Sequence, residues 1–112
     1  MPVLLILKKA TKEEIGEMQR ELEGYIKVAV DISRGILAGG GRLHADCESL
    51  LLQEESRQDE VWGADWYPGT KEVKFEAMIN IAPRRNNRSM EIQNPEIRTK
   101  VEAVIRNLLE VK

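Results

Sequence analysis

Apolar and polar positions near the start of the chain predict a strand followed by a helix. Val3 to Leu7 is a run of apolar, partly β-branched residues that two lysines end, as is typical of a short buried strand. Thr11 and Glu14 have the spacing of a capping box. Apolar residues then recur at intervals of three and four, which predicts an amphipathic helix ending near Gly24.

The end of the chain has a second helical pattern. Asn94 supplies an N-cap and Pro95 stands at the first helical position, where a missing N–H costs nothing. The apolar positions that follow form one stripe on a helix: Ile97, Val101, Val104, Ile105 and Leu108. This pattern predicts a C-terminal helix.

The middle of the chain favours strands joined by turns. Tyr25 to Ile32 is β-branched, and the turn chemistry of Asp31 to Gly35 before the apolar run Ile36 to Ala38 predicts a hairpin. Val61 to Tyr67 is aromatic enough for a strand. Val73 to Ile81 alternates apolar and polar residues, which predicts a long strand with Asn80 on its polar face.

Residues 43–52 fit two patterns. Leu43 to Glu48 alternates apolar and polar side chains, while Leu43, Cys47, Leu50 and Leu51 also have helical spacing. The interpretation adopted is extended structure, with a helix as the alternative.

The order of these elements predicts the fold class. Hairpin-linked strands between two terminal helices indicate an α+β fold of two layers, with a mainly antiparallel sheet of four to six strands. The N-terminal and C-terminal helices are expected to pack on one face of that sheet. No linker or internal repeat divides the sequence, so residues 1–112 are predicted to form a single domain.

Composition narrows the classes of function. The net charge of -2 argues against a broadly basic surface that coats nucleic acid, although a local basic patch could still meet phosphates. Cys47 is the single cysteine, which excludes an intramolecular disulfide and fits a reducing cytoplasm. The short apolar run after Met1 is neither a signal peptide nor a membrane span.

His44, Asp46 and Glu48 form a candidate metal site. If residues 43–48 are extended, all three side chains point to one face, where an imidazole and two carboxylates could hold a divalent metal ion. The alternative is the solvated face of an edge strand, where charges discourage aggregation. If the segment is a helix, the three side chains scatter.

The polar loop before the C-terminal helix is a candidate anion site. Guanidinium forks bind phosphate or carboxylate at two points, and a loop leading into a helix adds backbone N–H groups. The alternative is a solvated loop whose arginines pair with Glu91, Glu96 or the acidic stretch 54–60. The candidate residues are Arg84, Arg85, Asn86, Asn87, Arg88 and Ser89.

Three other residues carry weaker expectations. Trp62 and Trp66 fall on one face of a strand, where they could stack on a base or a partner, or more simply pack in the core. Asp31 is expected to make an Asx turn at its hairpin corner. Cys47, among apolar neighbours, is not expected to be a reactive thiol.

Three stretches carry a resemblance to a known family: VDISRGILAGGGRLHAD, LLLQEESRQDEVWGADWYP and MINIAPRRNNRS. In these stretches the chain resembles a domain-of-unknown-function family of short bacterial and archaeal proteins, with a cyanobacterial type of member. The resemblance implies a stand-alone domain and no activity. In that family an acidic residue followed by Gly-Ser is usual after the leucines, whereas Glu54-Glu55-Ser56 lacks the glycine, so the turn type there stays open.

Two functions remain open from the sequence. The first is a small cytoplasmic binding module, homodimeric through a sheet edge or the tryptophan surface, whose loop 84–89 recognises an anionic small molecule or a nucleic-acid phosphate. The second is a metal-dependent hydrolase of a phosphate ester, in which Arg85 and Arg88 stabilise charge on the substrate. The hydrolase requires the loop to converge with His44.

Overall fold

The computed structural model describes residues 3–110, and within them it has five strands and three α-helices. Short 3-10 helices lie at Gln58–Glu60, Met78–Asn80 and Pro83–Arg85. In chain order the main elements are β1 (Leu4–Ile6), α1 (Lys12–Met18), β2 (Ile26–Asp31), β3 (Ile36–Gly39), α2 (His44–Gln53), β4 (Val61–Tyr67), β5 (Glu72–Lys74) and α3 (Pro95–Leu109).

The strands form one sheet in the order β1-β3-β2-β4-β5, and every neighbouring pair is antiparallel. The predicted hairpin is present, with Asp31 opposite Ile36 next to the turn. The α+β class and the antiparallel sheet are therefore confirmed.

Helices contribute to apolar clusters on both faces of the sheet. On one face, residues of α1 and α3 such as Met18 and Ile105 share a buried cluster with Val28 and Val30 of β2. The residue between them, Ala29, belongs to the opposite cluster with residues of α2. Successive strand residues point to opposite faces, so α2 adds a third layer that the two-layer expectation did not include.

The terminal helices begin as their sequences predict. The Thr11 hydroxyl accepts from the N–H of Glu14, whose carboxylate accepts from the N–H of Thr11. The Asn94 side chain likewise accepts from the N–H of Glu96 at 2.8 Å. However, α1 ends at Met18, and residues 19–24 form turns rather than continuing the helix to Gly24.

The extended interpretation of residues 43–48 is wrong, because His44–Gln53 is helical. The helix buries Cys47 and Leu51 against the sheet. Asp46 steadies its first turn by accepting from the N–H of Leu43 at 3.3 Å. The six-residue alternation was too short to outweigh the helical spacing of these buried residues.

The long strand predicted from Val73 to Ile81 is also wrong in its second half. Pairing with β4 ends at Lys74, and a 3-10 helix occupies Met78–Asn80. Gly63 of β4 lets this segment approach closely, since a Cβ built there would lie 2.5 Å from the Cβ of Ala77. The alternating pattern therefore does not extend the ladder.

Trp62 and Trp66 lie in the core, as the simpler sequence interpretation expected. They are 2% and 1% exposed and belong to the cluster that α1 and α3 cover. The tryptophan surface suggested as a dimer interface is therefore wrong, because burial leaves these rings unavailable to a partner.

Candidate functional site

A cleft of about 460 Å³ opens on the α2 face of the sheet. One wall is the start of α2, and the other is the segment from Glu76 to Met90 that crosses back over β4. The lining residues are Lys27, Leu43, His44, Ala45, Asp65, Glu76, Ala77, Met78, Ile79 and Met90.

The floor of the cleft is polar because the neighbouring strands β2 and β4 place charged residues there. Lys27 of β2 lies directly opposite Asp65 of β4 in the antiparallel register. Two residues further along, Ala29 and Gly63 form the next pair on this face, where α2 and the Ala77–Ile79 segment cover the sheet. The charged pair lies where this cover is incomplete.

His44, the first residue of α2, closes one side of the floor. Its Nε2 lies 2.8 Å from Oδ1 of Asp65 and 3.0 Å from the carbonyl oxygen of Ala64. The two side chains are 10% and 14% exposed, so little water screens their interaction. The carboxylate and the carbonyl thus fix the orientation of the ring.

The rim of the cleft is apolar and unusually exposed. Leu43, Met78 and Met90 are 58%, 73% and 44% exposed. Single exposed apolar residues are ordinary, whereas several around one concavity are typical of a binding surface. Methionine adapts to partners of different shape because its thioether chain is flexible and polarizable.

The proposed metal trio is not assembled. On α2, Asp46 projects away from the direction that His44 and Glu48 share, since a two-residue step rotates about 200° around a helix. No group of three or more His, Cys, Asp or Glu side chains in residues 3–110 is placed to hold a metal ion. The partner of His44 is Asp65, which the sequence argument did not single out.

The polar loop 84–89 turns two of its six candidate side chains inward. The guanidinium of Arg85 donates to the carbonyl oxygen of Val61 at 2.9 Å, and more weakly to those of Gln58, Asp59 and Ile79. It also lies 3.8 Å from the centre of the Trp62 ring. Burial lowers the pKa of Arg85. Arg85 therefore holds the loop to the edge of β4.

Asn87 is the second inward residue. Its amide nitrogen donates to the carbonyl oxygens of Asn80, Ser89 and Glu91 at 2.9 to 3.0 Å. Its oxygen accepts from the N–H of Gln93 at 2.8 Å. Arg84, Asn86 and Arg88 remain exposed, and half-buried Ser89 accepts from the N–H of Glu91, so the six residues do not converge on one anion.

Asn80 connects this loop with the sheet and lies in the protein interior rather than on a polar face. Its side-chain oxygen accepts from the N–H of Gly63 at 2.8 Å, while its nitrogen donates to the carbonyl oxygens of Gly63 and Met90, both at 3.0 Å. The amide thus bonds β4 as a neighbouring peptide group would. This is a structural use of the residue, and it positions Met78 and Met90 beside the cleft.

Comparison with known proteins places the chain in a family. Residues 4–108 match the profile of the family described as "Protein of unknown function (DUF5674)". The chain belongs to this family. No curated protein and no solved structure matches it.

The DUF5674 description assigns no activity. Among residues 3–110, no helix is both long enough and apolar enough to cross a membrane. The family match covers almost the whole chain, and it confirms the resemblance to a domain of unknown function.

Two other polar groups outside the cleft have structural roles. Asp31 makes the expected Asx turn by accepting from the N–H groups of Ser33 and Arg34, and it also accepts from the Ser56 hydroxyl at 2.6 Å. Burial raises the pKa of the Cys47 thiol to about 11. Neither group has the exposure that binding or nucleophilic chemistry requires.

Asp65, Lys27 and the two methionines were not predicted from the sequence as site residues. One signal for Asp65 was available, since it is a carboxylate inside an aromatic strand, on the face opposite Trp62 and Trp66. Such a residue needs a partner or a functional role. Met78 and Met90 gave no such signal, because only the fold brings them to the same cleft.

Proposed function

We propose that this protein is a binding module and that the cleft between α2 and the Glu76–Met90 segment is its ligand site. The observation that carries the proposal is the convergence of exposed apolar side chains around a floor that includes the bonded His44–Asp65 pair. Concave sites with an apolar lining and a few placed polar groups are the usual form of ligand pockets.

This proposal keeps the binding module inferred from the sequence and moves its site. The loop 84–89 is less suitable because Arg85 and Asn87 are bonded internally. The hydrolase alternative is not favoured, since the proposed metal ligands do not converge. Self-association through the outer edge of β1 or β5 stays a prediction.

Nuclear magnetic resonance of ¹³C-methyl-labelled methionine tests the site directly. We expect titration with 1-hexanol, a neutral apolar probe, to shift the Met78 and Met90 methyl signals together. Met18 is 1% exposed in the core and serves as an internal control whose signal stays in place. Unchanged Met78 and Met90 signals, or an equal shift of Met18, would contradict the proposal.

A pair of matched variants separates cleft binding from general surface effects. Ala45 is an exposed residue of α2 that lines the cleft, so Ala45→Trp should fill it and abolish the hexanol response. Ala103 is an exposed residue of α3 outside the cleft, so Ala103→Trp should leave the response unchanged. Equal effects of the two substitutions would count against this location.

A further inference from the structure

The side-chain polar groups of the cleft that remain available are mainly hydrogen-bond acceptors. Oδ1 of Asp65 accepts from His44, while its Oδ2 has no hydrogen-bond partner among residues 3–110. Glu76 is exposed, and its carboxylate makes no ion pair or hydrogen bond in the same part of the chain. Each carboxylate can accept more than one further bond.

In its neutral form, His44 adds a third acceptor. Its Nε2 lies within hydrogen-bond distance of two oxygens, the Ala64 carbonyl and the Asp65 carboxylate, and neither ionised carboxylate nor carbonyl can donate. Nε2 must therefore carry the hydrogen in the neutral ring. The lone pair is then on Nδ1, for which no protein donor is present within residues 3–110.

Lys27 is the single lysine or arginine among the residues that line the cleft. Its ammonium donates to the carbonyl oxygen of Arg42 at 3.1 Å, which holds it toward the start of α2. Lys74, opposite Asp65 on β5, lies over the Tyr67 ring at 4.9 Å and does not line the cleft. The two carboxylates therefore outnumber the lysine and arginine side chains of the lining.

We propose that the cleft binds a cation with an apolar body, an alkylammonium group whose charge lies beside Asp65 and Glu76. Its chain would pack among Leu43, Met78 and Met90. This inference rests on the proposed function and adds the chemical class of the ligand. Two sources carry that chemistry: a free alkylamine, or a lysine side chain in an apolar peptide.

Three probes with the same carbon chain test the charge preference. Hexylammonium, 1-hexanol and hexanoate are titrated separately while the Met78 methyl signal is followed. A hydrogen bond to a charged group is stronger than a neutral one, so hexylammonium should bind about tenfold tighter than hexanol. Hexanoate should bind most weakly because the carboxylates repel it.

The outcomes distinguish this inference from the proposed function. If hexanol shifts the methionine signals and hexylammonium binds no tighter, the charge preference is wrong and the cleft remains a binding site. If no probe shifts them, both proposals fail. Tightest binding by hexanoate would overturn the inference and make Lys27 the dominant charge.

Glu76→Gln removes one carboxylate without a change of size. It should weaken hexylammonium binding about threefold and leave hexanol affinity unchanged, as expected for one exposed charge. Glu72→Gln is the matched control, since Glu72 is an exposed carboxylate of β5 that does not line the cleft. Equal loss in the two variants would overturn the assignment of Glu76.

His44 is the only histidine in the chain, so its ring nitrogens can be observed without ambiguity. In ¹⁵N spectra of the neutral ring, Nδ1 should resonate as the unprotonated nitrogen, and hexylammonium should shift it more than hexanol does. A neutral ring protonated at Nδ1 would overturn its role as an acceptor.

Peptides identify the source of the cation. A Leu-Lys-Leu peptide with blocked ends is compared with the same peptide acetylated on its lysine. Tighter binding of the unmodified peptide than of hexylammonium would support a polypeptide ligand. Tighter binding of hexylammonium would support a free amine, and equal binding of the acetylated and unmodified peptides would contradict the charge preference.

Discussion

The Asn80–Asn87 segment and the floor of the cleft differ in how many of their polar groups are already bonded within the protein. In the first region, the amides of Asn80 and Asn87 bond backbone groups on both sides, and Arg85 donates to carbonyls at the edge of β4. In the cleft, carboxylate oxygens of Asp65 on the floor and of Glu76 on the wall retain bonding capacity.

This difference shows that a concentration of polar residues in sequence is a poor guide to a site. The pairing of β4 with β5 ends at Lys74. Beyond that point, side chains of the Asn80–Asn87 segment bond the backbone groups of β4 that a neighbouring strand would otherwise pair. The cleft gathers fewer polar groups from distant segments and leaves them available. Available bonding capacity, rather than the number of polar residues, distinguishes the candidate site.

Removing the side-chain amide of Asn80 should cause the largest loss of stability among these substitutions. Asn80→Ala should lower the free energy of unfolding by about 3 kcal/mol, because it leaves buried N–H and C=O groups of β4 unpaired. Urea denaturation measures the loss. The exposed neighbour Arg84, changed to alanine, serves as the control, and equal losses in both variants would argue against the role of Asn80.

Two adjacent arginines test the same difference within the loop 84–89, because Arg85 is bonded inside the protein and Arg84 is exposed. Arg85→Ala should cost about 1.5 kcal/mol because it removes hydrogen bonds to several carbonyls together with the contact on Trp62. Arg84→Ala should change stability by less than about 0.5 kcal/mol, since Arg84 is exposed. Thermal and urea unfolding should agree on this order, and a larger cost for Arg84 would reverse our interpretation of the loop.

Cleft substitutions should have smaller effects on stability than on binding. Met78→Ser should change the free energy of unfolding by less than about 0.5 kcal/mol, because the side chain is 73% exposed, and should still weaken hexanol binding. The measurements are urea denaturation and the Met90 methyl titration. A large loss of stability would mean that Met78, like Asn80, has a structural role.

Cys47 lies one helical turn from His44 but is buried in the protein interior. The ionisation of its thiol affects the free energy of unfolding only at alkaline pH. Because its folded pKa is raised from 9.0 to about 11, the folded state keeps the thiol proton longer than the unfolded state does. Its contribution to stability is therefore present below 9.0 and lost as the pH rises toward about 11.

The difference in unfolding free energy between wild type and Cys47→Ala, measured across that pH range, isolates this contribution from the other groups that titrate there. The wild type should lose stability faster than the variant. Parallel curves would show that Cys47 is not protected in this way.

Much of the fold could be predicted from local signals. The capping box of Thr11 and Glu14, the Asn94 cap and the Asp31 turn each depend on neighbouring residues, and all three are present. The conformation of residues 43–48 and 75–81 could not be assigned in this way. Both segments alternate apolar and polar residues, but their contacts with the sheet determine the conformation that they adopt.

The site was largely beyond sequence reasoning for the same reason. His44 was singled out with the wrong partners, since the helix directs it to Asp65, 21 residues away. Met78 and Met90 line the same cleft as Leu43 because the Asn80 amide holds their segment across β4. The partners of such a site are set by tertiary contacts, whereas its individual residue types can be noticed in advance.

The Asn80 amide also has a consequence for solubility. Beyond the end of β5, the outer edge of β4 would present an open N–H and C=O at Gly63, which are the groups that recruit a foreign strand in domain swapping and amyloid growth. A side-chain amide satisfies both and has no further peptide to offer the next chain. The sheet is thereby closed to edge-to-edge polymerisation at this position, without a charged gatekeeper or a proline.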